Sequence, residues 1–428
     1  MEPLRPDSVR PASVPHKKRY TADSLRARRE WVAEATGAEL GALSGEEAPS
    51  ATLFSGNIES HVGFVQVPIG VAGPLLINGE HAQGVFYVPL ATTEGALVAS
   101  CTRGMRAVSE SGGATVRVVS DQMMRSPMFT FDSLVTAVAF AAWVRASVME
   151  IRAVAEAQSR VARLLSLEPM VLGDTVCVQL SFHTGDAYGA NMVMKCCWAV
   201  CQWIAQEFPA QTGLTPSAWY VDSQLGGEKK VNAMAYTSSL RGKRVVAETH
   251  LRADVMRRIL RVSPEDLFSA LNAGMGPTLA AHMLGCNVNF ANVVAALYTA
   301  TGQDIATVPE SSQGQISFRL TDEGMYFGVM LPNVVVATVG GGTALPSQRA
   351  SLDMLDCFGE GKARRLAEIV ACAAMSLDLS TYAAIAADHF VQAHERLGRN
   401  RPAEELRRVI PAMPQDRFAE PGTDPLVS

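Results

Sequence analysis

The sequence has no long uninterrupted apolar run, and this argues against a membrane-spanning protein. The stretch that comes nearest, Ala190 to Phe208, is broken by Lys195 and Glu207. A membrane span needs roughly 18 or more apolar residues. The N-terminus is polar and basic and lacks the apolar centre of a signal peptide. We therefore expect a cytoplasmic protein with no membrane partner.

Two further absences narrow the class of protein. The net charge of -5 offers no basic surface, so we expect no nucleic-acid partner. The G-x-G-x-x-G pattern that binds dinucleotides does not occur, so the sequence gives no support to a Rossmann fold.

The eight cysteines are scattered and lack the paired spacing of a metal site. Cys196 and Cys197 fall within a helical pattern, so we expect reduced, buried thiols rather than disulfides. His389 and His394 are five positions apart and would not share one face of a helix. We therefore expect no bound metal.

The 428 residues are 48% hydrophobic and too many for one small core. Strand patterns and helix patterns both occur along the chain, which predicts an α+β protein. A helix-like region runs from about 132 to 165, and Thr175 to Phe182 alternates as a half-buried strand does. We expect an N-terminal arm and helix (1–48), a large domain in two parts (49–126 and 216–378), a small inserted domain (127–215), and a C-terminal helix with a mobile tail (379–428).

Gly226-Gly227-Glu228-Lys229-Lys230 is the most informative stretch. Its glycines let the backbone approach a ligand closely, and its ammonium groups suit a carboxylate or a developing oxyanion. A charged, solvated surface turn is the competing interpretation, because most charge clusters are solvated.

Two other positions have a structural and a functional interpretation. Glu94 falls in the first turn of a helix that Thr92 or Thr93 could cap, where the helix dipole alone favours a carboxylate. Asp186 lies before small residues at the start of another helix, where it could be a cap or part of a phosphate or ribose site.

Taken in order, these stretches resemble the hydroxymethylglutaryl-coenzyme A (HMG-CoA) reductase family over about residues 55 to 400. The matching blocks are Ile58–Pro74, Pro89–Ser100, Gly185–Met192, Gly226–Lys230, Gly302–Asp304, Gly340–Arg349 and Ala393–His394. The resemblance is to the biosynthetic class that uses NADPH, without the membrane anchor of eukaryotic members. It implies a large substrate domain of helices and sheet with an inserted, ferredoxin-like cofactor domain.

The resemblance also implies roles for individual residues. The catalytic groups would be Glu94, Lys229, Asp304 and His394. The HMG-CoA substrate would be contacted by Arg125, Lys230, Asn292, Asp222, Glu228, Ser100 and Arg103. NADPH would be bound by Ser159, Arg160, Asp186, Tyr188, Gly189 and Asn191.

In the implied reaction, two hydride transfers reduce HMG-CoA to mevalonate and CoA. Lys229 would stabilise the oxyanion, Asp304 would keep the lysine charged, and Glu94 would supply a proton. His394 would protonate the departing thiolate. Family members form homo-oligomers with the active site at the subunit interface, so Glu94 would face Lys229 of the partner subunit.

Some positions depart from the family pattern. Glu228 stands where aspartate is usual, Asp222 occupies what resembles a serine position, and residues 305–309 lack the usual Gln-Asn pair. Two alternative functions stay open: NAD-dependent oxidation of mevalonate, and a catalytically inactive homologue that binds CoA or a nucleotide.

Overall fold

The computed structural model describes residues 13–16, 19, 21–45, 49–54, 56–393 and 395. The strands are β1 (Ile69–Gly79), β2 (Gln83–Ala91), β3 (Ala114–Arg125), β4 (Met128–Thr130), β5 (Arg163–Leu172), β6 (Thr175–His183), β7 (Ala218–Tyr220), β8 (Arg241–Arg252), β9 (Gln315–Thr321) and β10 (Gly324–Val334). The helices are α1 (Ala22–Thr36), α2 (Leu97–Glu110), α3 (Leu134–Ala146), α4 (Val148–Glu156), α5 (Ala190–Thr212), α6 (Met234–Thr237), α7 (Ala253–Val255), α8 (Pro264–Ala280), α9 (Phe290–Thr301), α10 (Val308–Ser311), α11 (Pro346–Met354), α12 (Ala363–Ala386) and α13 (Phe390–Ala393). The predicted α+β class is confirmed.

Strand β3 joins two parts of one sheet. Its first residues pair in parallel with β1, and most of its length pairs antiparallel with β8. Its last residues, Met123–Arg125, pair with β6. The sheet runs β7-β4-β6-β3-β8-β10-β9, with β2 beside β1 and β5 beside β6. The C-terminal end of β3 therefore lies where the strands β1, β8, β10 and β9 on one side meet the strands β6, β5, β4 and β7 on the other.

Helix α12 is the centre of the larger hydrophobic cluster. Nearly every side chain from Leu366 to Ala384 is buried, and α12 packs against α2 so closely that a Cβ on Gly104 would lie 1.8 Å from the Ser376 carbonyl oxygen. By length and composition α12 resembles a membrane-spanning helix more than 190–208 does, but 83% of its apolar window is buried inside the protein. It is the core helix of this domain.

A second, separate hydrophobic cluster lies between α3, α4, α5 and strands β4 to β6. The chain order here is β4, α3 and α4, β5, β6, α5, β7, and the strands lie in the order β7-β4-β6-β5, all antiparallel neighbours. This is the β-α-β-β-α-β order of the ferredoxin-like motif. The two clusters support the predicted division of the chain, whose boundaries stay a prediction.

Two expected helices differ from the structure in their bounds. The helix-like region 132–165 divides at Ser147 into α3 and α4, bent by 69°, and then ends, because Arg163–Leu172 pairs along β6 as strand β5. Pairing with a neighbouring strand outweighs local propensity here. A separate closing helix is expected to begin at residue 379. In the structure this segment is instead the second half of α12, and Leu379 and Ser380 are buried like the residues before them.

Candidate active site

Lys229, which lines a cavity, forms an ion pair with Asp304. Lys229 Nζ lies 2.9 Å from Asp304 Oδ2, and both side chains are partly exposed. Asp304 follows α9, and its Oδ1 accepts a hydrogen bond from the Ala306 backbone at 3.0 Å. This second contact fixes the carboxylate on the side of the lysine. The predicted catalytic lysine and aspartate are thus brought together within one chain.

Glu94 lies beside Asn292 instead. Asn292 Nδ2 donates to Glu94 Oε2 at 2.8 Å, and the Glu94 backbone N–H donates to Thr92 Oγ1 at 3.0 Å. Within the described part of the chain, no ion pair joins Glu94 to Lys229. The predicted catalytic residues therefore form two groups, the Lys229 half-site (Lys229 and Asp304) and the Glu94 half-site (Glu94 and Asn292).

A cavity of about 290 Å³ adjoins the Lys229 half-site. Its lining includes three cations and two carboxylates: Arg125, Lys229, Lys230, Asp222 and Glu228. The buried Arg125 guanidinium pairs with both carboxylates, at 3.1 Å for Asp222. Burial lowers the pKa of Arg125, but the two carboxylates more than offset this and the pKa is raised. Lys230 Nζ donates to the Glu228 carbonyl oxygen at 3.1 Å.

Residues Gly226–Lys230 form a loop that we call the lysine loop. Beneath it lies a buried ion pair that sequence reasoning missed. Arg241 Nε donates to Glu310 Oε2 at 2.9 Å, and both side chains are almost fully buried. Burial raises the pKa of Glu310, and Arg241 opposes the rise. Glu310 Oε1 accepts the Lys229 backbone N–H at 3.2 Å. No local pattern separates these charges from surface ones in the sequence.

A second missed carboxyl group, Asp378, lies beneath the Glu94 half-site. It projects from α12 and accepts the backbone N–H groups of Val288, at 3.0 Å, and Asn289, at 2.6 Å. These residues immediately precede α9, which carries Asn292. Burial raises the pKa of Asp378 to about 7. The signal available in the sequence was an acidic residue within a mostly apolar helical pattern.

The predicted cofactor residues gather around the turn before α5. Ser159 Oγ accepts the N–H groups of residues 161 and 162, and the Arg160 side chain is exposed. Gly189 has φ +82°, and a Cβ there would lie 2.5 Å from the Thr184 side chain. Asn191 is exposed in the first turn of α5. The turn thus presents backbone N–H groups at a helix N-terminus, next to a cationic side chain.

Asp186 and Tyr188 in this turn contact other elements. Asp186 accepts the N–H groups of Gly361 at 2.7 Å and Ala363 at 2.9 Å, so it caps the beginning of α12 rather than α5. The Tyr188 hydroxyl donates to Glu228 Oε1 at 3.0 Å. The predicted cofactor turn therefore touches the lysine loop directly.

The predicted CoA contacts, Ser100 and Arg103, both face Ser380 of α12. Ser100 Oγ lies 2.9 Å from Ser380 Oγ, and Arg103 Nε donates to the same oxygen at 3.0 Å. Burial lowers the pKa of Arg103 to about 10. His394, the predicted catalytic histidine, lies outside the described residues.

The chain is similar to known proteins over most of its length. The family model "Hydroxymethylglutaryl-coenzyme A reductase" matches residues 24–399. A 3-hydroxy-3-methylglutaryl-coenzyme A reductase of Methanocaldococcus jannaschii is 38% identical over 87% of this chain and 92% of its own length. The corresponding protein of Aeropyrum pernix is 39% identical over 87% of this chain and 89% of its own length.

A solved structure has the same fold. The class II 3-hydroxy-3-methylglutaryl-CoA reductase of Streptococcus pneumoniae, bound to NADPH in open conformations, superposes with a TM-score of 0.66 at 18% identity, covering 84% of this chain and 96% of the other. Fold and relatives together define the class of this protein as an oxidoreductase. The chain belongs to the hydroxymethylglutaryl-coenzyme A reductase family.

Proposed function

We propose that this enzyme reduces HMG-CoA to mevalonate and CoA, with NADPH as the hydride donor in both reductions. The observation that carries the proposal is the Lys229–Asp304 ion pair, 2.9 Å long, beside a cavity large enough for an acyl group. The archaeal relatives, which cover most of this chain, bear the name of this reductase.

Lys229 stabilises the negative charge that develops on the carbonyl oxygen at each reduction. An ammonium group fixed near the reacting oxygen is among the largest contributions to such catalysis. Asp304 pairs with this ammonium group at 2.9 Å and so holds it in one place beside the cavity.

Glu94 delivers the proton when the aldehyde carbonyl becomes a hydroxyl group. The hydrogen bond from Asn292 restricts the carboxyl group to one orientation, and proton transfer requires a donor already in reach of the oxygen. His394 protonates the CoA thiolate, since imidazole titrates near neutral pH and the thiol has a pKa of about 8.5.

The residues around the turn before α5 fit NADPH. N–H groups at a helix N-terminus attract phosphate, and Arg160 is an exposed cation suited to a second phosphate. Ser159 and Asn191 offer polar contacts beside it, and Gly189 allows close approach of the backbone. Asp186 contributes by holding the turn in place, because its carboxylate accepts hydrogen bonds at the beginning of α12.

We infer that a complete site combines half-sites from two subunits. Asn292 lies in the first turn of α9, and Asp304 lies just beyond its last residue, Thr301. Nine helical steps separate Asn292 from Thr301, about 14 Å at the α-helical rise. The backbone positions beside the two half-sites therefore lie far apart within one chain, which supports a site shared between two chains. A two-fold related partner would set Glu94 of one subunit against the partner subunit's Lys229.

The segment before β1 supports a partner subunit. Val62 and Val65 are more than 90% exposed, and Ile58 and Phe64 are about half exposed. Contiguous apolar side chains of this kind mark an interaction surface. A second copy of the chain is the partner that also completes the site.

The test is an absorbance assay of NADPH loss with HMG-CoA, with mevalonate identified as the product by mass spectrometry. We expect turnover with NADPH to exceed turnover with NADH. Higher rates with NADH would instead favour mevalonate oxidation as the physiological direction. Bound HMG-CoA without any turnover would favour an inactive, ligand-binding homologue.

A further inference from the structure

The backbone of Lys229 is held in a conformation that the residue would not adopt alone. Its φ is +59°, in the left-handed region where a side chain is strained. Such conformations persist where the surroundings enforce them. The hydrogen bond from the Lys229 N–H reaches out of the loop to Glu310, whose side chain is fully buried. Glu310 is therefore a fixed anchor for the strained residue.

Glu310 is itself tied to the turn before α5 through Arg241. The Arg241 guanidinium donates from Nε to Glu310 and from Nη2 to the Tyr188 hydroxyl, at 2.9 and 2.7 Å. The guanidinium is planar and rigid, so its donors move together. A shift of the Tyr188 hydroxyl must therefore be followed at Glu310 or must break a buried hydrogen bond.

The contacts close into a ring at Glu228. Tyr188 donates to Glu228, which directly precedes Lys229 in the chain and also lies 3.3 Å from Arg241. We call Tyr188, Arg241, Glu310 and Glu228 the Arg241 ring. Arg241 and Glu310 are buried, so an opened contact would leave a polar group without water or partner, which is costly. The ring joins the cofactor turn to Lys229 at two points of one loop.

The ring is not built for stability alone. Arg241 Nη1 is buried and has no hydrogen-bond partner among the described residues. Buried ion pairs give little net stability over apolar side chains of the same size, and an unsatisfied donor reduces it further. Apolar side chains would hold the two domains together at lower cost. The charged ring is better explained by what it connects.

We propose that Tyr188, Arg241 and Glu310 are positioning residues that couple the cofactor turn to the backbone of Lys229. The coupling rests on the proposed function in that NADPH occupies the turn before α5. When the turn is occupied, Tyr188 is fixed, and Arg241 and Glu310 then hold Lys229 in the orientation that meets the thioester carbonyl. The ammonium group is thus presented to the acyl group when the reductant is in place.

The sharpest variant is Tyr188→Phe, which removes both hydrogen bonds of the hydroxyl and keeps the ring. We expect kcat to fall about tenfold, the equivalent of one hydrogen bond to a charged group. The KM values for NADPH and HMG-CoA should stay within about twofold. The control is Tyr326→Phe on β10, whose hydroxyl bonds Ser317 outside the ring; its kcat should not change.

Two results of these kinetics would overturn the coupling. An equal kcat in Tyr188→Phe and Tyr326→Phe would show that the ring does not position Lys229. A loss of NADPH affinity large enough to explain the whole effect would make Tyr188 a simple cofactor contact.

A measurement that needs no turnover separates this inference from the proposed function. Lys229 is acetylated with acetic anhydride, with and without saturating NADPH, and its rate is compared by mass spectrometry with that of Lys195 on α5. In the wild type we expect NADPH to change the relative rate at Lys229. The change should shrink at least about threefold in Tyr188→Phe and in Glu310→Gln, which keeps the shape of the side chain and removes its charge.

The outcomes are distinct. Wild-type enzyme that binds NADPH and shows the expected labelling, but does not reduce HMG-CoA, would disprove the proposed function and keep the coupling. An identical NADPH effect in the wild type and both variants would disprove the coupling whatever the reaction. Failure of the wild type to bind NADPH in a fluorescence titration would remove both.

Discussion

The two half-sites are each supported by a buried carboxyl group, and the neighbours of those groups differ. Glu310 lies beneath Lys229 and faces the Arg241 guanidinium 2.9 Å away. Asp378 lies beneath the segment that leads to Asn292, and its hydrogen bonds come from backbone N–H groups. Burial raises the pKa of both groups; the Arg241 guanidinium opposes the rise at Glu310, whereas only backbone N–H groups oppose it at Asp378.

This difference indicates separate tasks for the two half-sites. The Lys229 half-site is fixed within its own subunit by charge, down to the strained backbone of the lysine. In the Glu94 half-site, one side-chain hydrogen bond orients the carboxyl group. We infer that the first is complete before assembly and that the second gains its final environment from the partner subunit.

The largest expected effect tests whether the half-sites work across an interface. Lys229→Ala and Glu94→Gln should each lower kcat by about a thousandfold, because each removes one group from every site. Co-expressed or reassociated mixtures of the two variants should recover about a quarter of wild-type activity. Half of the dimers would be mixed, and each mixed dimer has one intact site of two. The measurement is NADPH oxidation after mixing, compared with each variant alone.

The matched control for this mixture is Lys229→Ala combined with Asp304→Asn. Both substitutions fall in the same half-site, so no pairing of these subunits restores an intact site. No recovery in the first mixture, despite proven subunit exchange, would place all the catalytic groups in a single subunit. Recovery in the control would mean that Lys229 and Asp304 of one site come from different subunits.

A second, smaller effect should appear in the pH dependence of stability, through Asp378. Burial raises the pKa of Asp378 to about 7, so the folded state binds this proton more tightly than the unfolded chain does. The contribution to stability is full below the unfolded pKa near 4 and is lost as the pH rises through about 7. Across that interval the free energy of unfolding should fall by roughly 1.4 kcal/mol per pH unit from this group.

Asp378→Asn should remove that slope, because the amide does not titrate and its oxygen still accepts N–H groups. Urea unfolding at pH 5, 6 and 7 measures the difference between variant and wild type. Asp254→Asn is the control, an exposed carboxylate whose pKa is lowered by its hydrogen bond to Arg252. Parallel stability profiles for the wild type and Asp378→Asn would show that Asp378 is ionised throughout.

Sequence reasoning found the residues with chemistry in their side chains and missed those that hold them. Lys229 and Asp304 belong to short blocks with glycine, and such blocks can be recognised from order alone. Arg241, Glu310 and Asp378 belong to no local motif that would mark them as buried. Their partners are distant in the chain, 69 positions apart for Arg241 and Glu310. Only the folded chain brings such groups together.

The same limit explains the fold-level errors. The α+β class follows from the alternating pattern in β6 and the helical patterns in α2 and α5. In these elements the tertiary contacts favour the same structure as the local pattern. The expected helical region runs into the first residues of β5, because the pairing of that strand with β6 is not visible in its own residues. The continuous course of α12 through Leu379 likewise depends on a core that surrounds it on all sides.

The smallest predicted effect concerns the charge of the cavity beside the Lys229 half-site. Asp222 and Glu228 both pair with Arg125, so much of its charge is already neutralised before a substrate carboxylate arrives. Asp222→Ser should release part of that charge and lower the KM for HMG-CoA by about fivefold, the effect of about 1 kcal/mol for one partly exposed pair. The kcat should change little, since Asp222 does not contact Lys229 Nζ in the structure. The gain should shrink in high salt, because screening weakens partly exposed pairs.

Asp222→Asn, which keeps the shape of the side chain, should change the KM in the same direction, and Asp254→Asn should give no change. A KM that rises in both Asp222 variants would mean that Asp222 orients Arg125 toward the substrate, and the Lys229 half-site would then depend on this carboxylate as it does on Glu310.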